Sequence, residues 1–531
     1  MKQPQTFFFY DLETSGFSAA HDRIMQFAGQ RTDMDLQPIG EPVNLLIKLA
    51  EDVLPSPEAI LVTKITPQQT HSDGLTEAEF AQIFMDGIAT PGTIFVGFNS
   101  VRFDDEFMRH TLWRNFRDPY EWQWSDGRSR WDLLDVVRLT RALRPDGINW
   151  PFTEKKVTSS CAKSQDPARR KMDSATNKLA QNDKIIKIPT NNLVDLAREN
   201  GFENVNAHDA LADVQALINV AKLLKDKQPQ IFDYLLKMRE KKEVAKLVNL
   251  ENPVAFVYAS GRYSSEFDKT TVAFPLAPGK NPGSVLVWDL RVDPNGFAQL
   301  SDKEINAKIY AKWEERTKPD FIPLPVKEMA YNRCPAVAPL GTLDQDAQKR
   351  LKIDLQQIEK NLGALKKNRD VIDRIVDALN SRPGFAKSSD VEGQLYDSFL
   401  PDADKARVSV IRNASADDLA DFHPTFTDER LPELLLRFKA RNFAKSLSAD
   451  EKQLYETWRA EKLQREIPSY MQTLFWMNQI AADQIPTNFA NDSEKSQFFA
   501  LKYRTTVRGE IDPFLLEELQ LWAESIMPIE E

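Results

Sequence analysis

Asp11 and Glu13 stand two residues apart where the apolar run TFFFY gives way to DLETSG. In an extended strand alternate side chains share a face, so the two carboxylates point the same way. Oxygen donors that close suit a hard divalent cation such as Mg2+ or Mn2+, although acidic residues also commonly end strands. A second signal is NSVRFDDE (99–106), where Asp104 opens a helical stretch after the apolar run TIFVGFN. An acidic residue there also favours a helix N-terminus electrostatically. The third is NAHDALADV (206–214), in which His208 and Asp213 are five apart at the start of an alanine-rich amphipathic stretch. The chain has only five histidines, at 21, 71, 110, 208 and 423, so one that lies beside a carboxylate on such a stretch stands out.

The elements that must carry these groups follow from hydrophobic period. TFFFY (6–10), IMQFAGQRTDM (24–34), VNLLIKL (43–49) and TIFVGFN (93–99) read as strands. Thr76 and Glu79 form a capping-box signature that opens the helix TEAEFAQIFMDGI. Together they predict an α/β domain with a mixed sheet. Residues 153–187 change character, with nine Lys/Arg against four Asp/Glu and almost no large apolar residues. They read as a solvated insertion, either a plain loop or an auxiliary strand-binding arm. Helical pattern resumes at NNLVDLAREN and at AHDALADVQALINVAKLLKDK. Beyond Gln228-Pro229, PVAFVYAS (253–260), TTVAFPL (270–276) and SVLVWDL (284–290) are short strands between Gly/Pro/Asn-rich turns, the pattern of a small β-barrel or sandwich. From about residue 344 the chain is helical again, with a Pro/Gly break at SRPGFAKSSD (381–390).

An acidic pair on a first strand, an Asp after a later strand and His-x4-Asp on a helix, in that order, resemble the DEDDh 3′→5′ exonuclease family. FYDLETSG, GFNSVRFDDE, SRWDLLDV, ALRPDGINWP and NAHDALADV are similar to segments of its bacterial exonuclease I branch. The resemblance implies an α/β ribonuclease H-like exonuclease domain, a mixed sheet flanked by helices (1–228, with the basic insertion 153–187). A small Src-homology-3-like β-barrel domain with a helical extension (229–383) and an all-helical C-terminal domain (384–531) follow. It implies Asp11, Glu13 and Asp213 on one metal ion, Asp11 and Asp104 at a second, and His208 as the base. Two Mg2+ ions, with Mn2+ able to substitute, would stabilise the entering and leaving oxygens of phosphodiester hydrolysis. The implied activity is 3′→5′ exodeoxyribonuclease cleavage of single-stranded DNA to 5′-mononucleotides, in DNA repair or recombination. The implied protein partner is the acidic, Phe-ending tail of single-stranded DNA-binding protein, for which Arg262, Lys269 and Lys327 are candidate contacts at the barrel–exonuclease junction.

Residues 102–144 hold nine arginines, no lysine and eight aromatics, a composition that suits a single strand held by backbone-tracking cations and stacked bases. Eight acidic residues share the stretch, and many of the aromatics are equally suited to a core. By the resemblance the DNA contacts are Arg109, Tyr120, Trp124, Arg138 and Arg144. At 192, where the family is expected to place a substrate-binding arginine, this chain has Asn192.

Length and charge bound these readings. A chain of 531 residues exceeds one core and predicts several domains. A net charge of −10 is the wrong sign for a protein that coats nucleic acid, though basic groups can still line one groove. Two cysteines in unrelated contexts, Cys161 and Cys334, fit a reducing cytoplasm, and no stretch is apolar enough for a membrane span. A monomer is expected. A catalytically silent single-strand-binding scaffold is the rival of another class, and the presence of all five catalytic residue types speaks against it. A DEDDh exonuclease acting on RNA is the enzymatic rival, and the long C-terminal modules speak against that.

Overall fold

A computed structural model describes residues 4–157, 184–202, 209–384, 386–486, 489–508 and 511–528. The chain divides into two compact units, one of Met1–Arg130, Val205–Gln215 and Ala386–Glu531, the other of Trp131–Asn204 and Ala216–Phe385.

In the first unit, β1 (Thr6–Thr14), β2 (Ile24–Thr32), β3 (Val43–Leu46), β4 (Thr93–Gly97) and the opening residues of β5 (Ser129–Asp132) form one sheet in the order β3-β2-β1-β4-β5. β1 runs antiparallel to β2 and parallel to β4, which makes the sheet mixed as expected. Phe7 to Tyr10 are all buried, as a central strand covered on both faces requires. Tyr10 stacks on Phe27 and meets Phe95 and Trp122 edge-on, in a core closed by Phe80 and Phe84. Helix α1 (Glu77–Ile83) opens on the Thr76–Glu79 capping box. It does not run on unchanged to Ile88. Phe84–Ile88 winds as a π turn closed by Ala89 N–H to the Phe84 carbonyl, and Phe80 and Phe84 both lie in the core. Helix α2 (Asp104–Arg114) follows β4, and α3 (Ala210–Lys227) begins in this unit.

Helices α4 (Leu431–Asn442), α5 (Ala449–Ala481) and α6 (Pro513–Ser525) share cores with the sheet domain rather than standing apart. Trp113 and Phe116 pack with Val391, Leu431, Leu434 and Phe438, and Met25 and Ile60 pack with Leu474, Met477 and Leu519. A buried ionic cluster also joins residues of the sheet domain to the C-terminal segment. Glu392 accepts from Arg23 at 2.6 Å and from Arg441 at 2.5 Å, with Arg437 3.4 Å away. Arg441 also grips Asp52 through two bonds of 2.8 Å. Burial pushes the Glu392 carboxyl up, but Arg441, Arg23 and Arg437 together outweigh it and hold it well below its ordinary 4.5.

Removing the charge of Glu392 leaves the three arginines around it less fully compensated in the interior. Glu392→Gln is therefore expected to destabilise the first unit by about 3–5 kcal/mol, read as a lower thermal midpoint. A depressed folded-state pKa gives stability that is complete above pH 4.5 and lost as pH falls below it. The parent should accordingly lose stability more steeply than Glu392→Gln on acidification from pH 5, and parallel acid curves would remove Glu392 as a cause.

In the second unit, β6 (Phe152–Val157) and β7 (Lys184–Pro189) pair antiparallel, Phe152 opposite Pro189 and Val157 opposite Lys184. This corrects the loop reading of residues 153–187 at both ends. Thr and Val in one half and three Ile in the other supply the β-branched residues a strand pair favours. Residues 158–183, which hold the rest of the basic insertion, lie outside the described residues. β8 (Phe256–Ala259), β9 (Thr270–Pro278), β10 (Ser284–Asp289), β11 (Val326–Ala330) and β12 (Ala336–Pro339) form a five-stranded antiparallel sheet in the order β11-β10-β9-β8-β12. Phe256, Tyr258, Ala273, Val285, Val287 and Val337 are buried with Val244 and Val248 in a separate core.

Candidate active site

β1 changes from apolar to acidic just where it passes out of the core. Tyr10, Leu12 and Thr14 are buried, while Asp11 and Glu13 between them are half-buried on the other face. Asp11 sits opposite Ala28 and Glu13 opposite Gln26, and the register then slips at Glu13/Thr14. A bulge of that kind re-aims side chains at a strand end. Asp213 reaches the same place from the first turn of α3, where its N–H bonds the Asp209 carbonyl at 3.0 Å. The Asp209 carboxylate caps the turn by accepting from Leu211 N–H at 3.1 Å. One oxygen each of Asp11, Glu13 and Asp213 lie within 4.8 Å of one another.

Three carboxylates this close repel each other in a poorly solvated place. Burial first, then Glu13 and Asp213, pushes the Asp11 carboxyl well up. Glu13 is pushed up to about 8 by burial, then by Asp213, Asp104 and Asp209. A divalent cation relieves this repulsion, so the donor set fits a hard, oxygen-liganded ion.

Asp104 does not belong to the group within 4.8 Å, yet it acts electrostatically on Glu13 from the first turn of α2, where it is buried. Its neighbour Asp105, also buried, accepts a 2.5 Å bond from the Tyr10 hydroxyl and a second from Arg130. Burial and the charges of Asp105 and Asp104 push the Tyr10 hydroxyl well up, so it stays a donor. Sequence reading missed Asp209, Tyr10 and Arg130. Only the repeated Asp of FDDE hinted that two carboxylates were needed there.

His208 lies outside the described residues. Of the other histidines, His71 Nε2 is 2.7 Å from the Leu49 carbonyl and His110 Nδ1 is 3.1 Å from the Glu392 carbonyl. Burial pushes His110 down to about 4, so it is neutral at working pH. His21 and His423 are exposed.

The anticipated DNA contacts fall in different settings. Arg109 is buried and donates to Glu106 and Gln123 at 2.8 Å each and to the Tyr396 hydroxyl at 3.3 Å, with its guanidinium 5.6 Å from the Tyr120 ring. Tyr120 is half-buried, and Trp124 presents 67% of its surface. In the second unit, Arg138 bonds Asp135 at 2.6 Å, and Arg144 bonds the Leu143 carbonyl at 2.6 Å and Asp344 at 3.3 Å. Asn192 has a local task, since its side-chain oxygen caps the helix Leu193–Glu199 by accepting from Asp195 N–H at 3.0 Å. Of the tail-binding candidates, Lys327 lies 4.6 Å from the Tyr258 ring and 5.1 Å from that of Tyr263 and bonds Ser260, whereas Arg262 is exposed. Burial, with Arg138 adding to it, lowers the Lys269 pKa.

Comparison with known proteins covers nearly the whole chain. The exonuclease family model matches residues 8–167, the exonuclease I SH3-like domain residues 239–381, and the exonuclease I C-terminal domain residues 389–501. Exodeoxyribonuclease I of Haemophilus influenzae is 37% identical over 470 residues, 88% of this chain and 93% of that protein. The protein of the same name from Escherichia coli is 36% identical over 495 residues, 93% of this chain and 96% of its own. A crystal structure of Escherichia coli exonuclease I with a dA16 oligonucleotide superimposes with a TM-score of 0.83 at 34% identity, covering 98% of this chain and 100% of the other.

Proposed function

This chain belongs to the exonuclease I family, and on that premise we propose that it is a 3′→5′ exodeoxyribonuclease that degrades single-stranded DNA to 5′-mononucleotides. The observation that carries the reading is the meeting of Asp11, Glu13 and Asp213 within 4.8 Å in a chain of this family. The domains we assign are 1–228 (exonuclease), 229–383 (Src-homology-3-like) and 384–531 (C-terminal).

Asp11, Glu13 and Asp213 would hold one Mg2+ and Asp11 with Asp104 a second, Mn2+ substituting. When bound, such ions supply an activated water and charge stabilisation at the entering and leaving oxygens of the phosphodiester. The work of the chain itself is to hold the carboxylates on rigid elements and to take up the proton. β1 fixes Asp11 and Glu13 from one side, α3 presents Asp213 from another, and α2 places Asp104 nearby. His208 is the base that takes the proton of the attacking water, since an imidazole titrates near working pH. Trp124, widely exposed, is a platform on which a base can stack, and half-buried Tyr120 is a second candidate. Arg109, Arg138 and Arg144 complete the strand contacts in this reading, Arg109 from a buried position that also holds Tyr396. With all four carboxylates on one chain, a monomer suffices. No helix among the described residues is long and apolar enough to cross a membrane, and a cytoplasmic role in DNA repair fits the two unrelated cysteines.

Strands labelled at the 5′ or the 3′ end test the activity. In Mg2+ the 3′ label should leave as mononucleotide at once while the 5′ label shortens stepwise, with duplex spared and EDTA stopping both. Cleavage that survives EDTA, or a preference for duplex, would sink the reading.

The acidic tail of single-stranded DNA-binding protein is the partner we assign to Arg262, Lys269 and Lys327. Lys327 is already engaged with Ser260, Tyr258 and Tyr263, so Arg262→Ala should weaken a tail peptide more than Lys327→Ala. Absence of peptide binding at micromolar concentration excludes this partner.

A further inference from the structure

Three buried side chains join the strand that bears Asp11 and Glu13 to the helix start that bears Asp104. Tyr10 immediately precedes Asp11 on β1, and alternation sends its ring to the opposite face, into the core against Phe27, Phe95 and Trp122. Asp105 immediately follows Asp104 at the start of α2. The Tyr10 hydroxyl donates to Asp105 Oδ1 at 2.5 Å, and Arg130, from β5, donates to Asp105 Oδ2. Tyr10 and Asp105 are each 1% exposed and Arg130 9%. One buried carboxylate thus ties β1, α2 and β5 together, one residue away from Asp11 and one residue away from Asp104.

We infer that Tyr10, Asp105 and Arg130 are positioning residues for cation binding, fixing α2 against β1 so that Asp104 stands at a set distance from Asp11. The inference rests on the metal-dependent reading above. Geometry, more than stability, is what such an arrangement supplies. A buried ion pair is commonly no more stabilising than apolar side chains of the same shape, whereas a hydrogen bond tolerates only a few tenths of an ångström. Asp104 itself stands outside the close group of three, so its distance from Asp11 depends on how α2 is seated. A short rigid tie between the adjacent residues is the direct way to set it. Catalytic and cation-binding constellations lose function when their support loosens by about 1 Å.

Tyr10→Phe tests this with little risk to the fold, because the ring keeps its aromatic neighbours and only the hydroxyl goes. Mn2+ binding to the full-length chain, measured by calorimetry without DNA, should weaken about 10-fold, the usual order for losing a group that orients a ligand. At fixed Mn2+ kcat should fall by a similar factor, KM for single strands should stay within about twofold, and excess Mn2+ should restore most of the rate. Asp105→Asn should do the same, and the double variant should be little worse than either alone, as for groups acting as a unit. Mn2+ affinity and kcat within about twofold of the parent in both single variants would overturn the inference. So would a rate loss that follows the melting temperature and that excess Mn2+ does not rescue. If the parent binds Mn2+ but cuts no single strand, the proposed function falls while the effect of Tyr10→Phe on Mn2+ affinity still decides the positioning role.

Discussion

Asp213→Ala is expected to slow strand cleavage by about 10³-fold or more and yet, in EDTA, to melt no lower than the parent. The loss of rate follows from removing one of the three oxygens grouped within 4.8 Å. The retained stability follows from the charge balance. Glu13 has an ordinary value of 4.5 and is pushed up to about 8 in the folded chain, burial being the largest cause and Asp213 the largest charge. A carboxyl whose folded-state pKa is raised opposes folding once ionised. The penalty is absent below pH 4.5, grows as pH rises towards 8, and stays at its full size above that. Alanine at 213 removes part of it, and a bound divalent cation removes it in the parent. Melting curves at pH 5 and pH 8, with EDTA and with Mg2+, separate the contributions. The parent should gain more from Mg2+ at pH 8 than at pH 5, and Asp213→Ala should gain little at either. Asp11→Ala, Glu13→Ala and Asp104→Ala should likewise abolish cleavage. Near-parental turnover of Asp213→Ala in Mg2+ would show that the site is wrongly assigned.

The parts of this site legible in the sequence are those whose signal is local. Two-residue alternation placed Asp11 and Glu13 on one face because a strand leaves no other choice, and the Thr76–Glu79 box marked a helix start because both bonds close within four residues. What escaped is what depends on distant chain. Nothing near Glu392 announces that Arg23, some 370 positions earlier, will meet it, so the joining of the C-terminal helices to the sheet domain was not readable. Tyr10 looked like one more core aromatic, and only the fold reveals the partner of its hydroxyl 95 residues away. Arg109 was named as a strand contact by resemblance, and only the fold shows that its guanidinium is also braced by Glu106, Gln123 and Tyr396. Asn192 is similar: as a residue type it looked like a missing contact, and as a position it is a helix cap.

Replacing His208 by alanine is the second large effect, about 10²–10⁴-fold in rate, the range for losing a general base. It should be of a different kind from the loss at Asp213. No cation ligand is removed, so Mn2+ binding and the Mg2+-dependent gain in melting temperature should survive, and single strands should still bind. The distinguishing signature is in the pH profile. An imidazole accepts a proton only when neutral, so the parental rate should rise with pH through the range about an ordinary value near 6.5 and then level. In His208→Ala the limb should vanish, leaving a low rate whose remaining pH dependence reports the attacking water and the carboxylates. His71 and His110 cannot substitute, since each ring is held against a backbone carbonyl and His110 titrates near 4, far below the limb. A profile with the same limb in His208→Ala as in the parent would take histidine out of the mechanism and leave the proton to a carboxylate or to solvent.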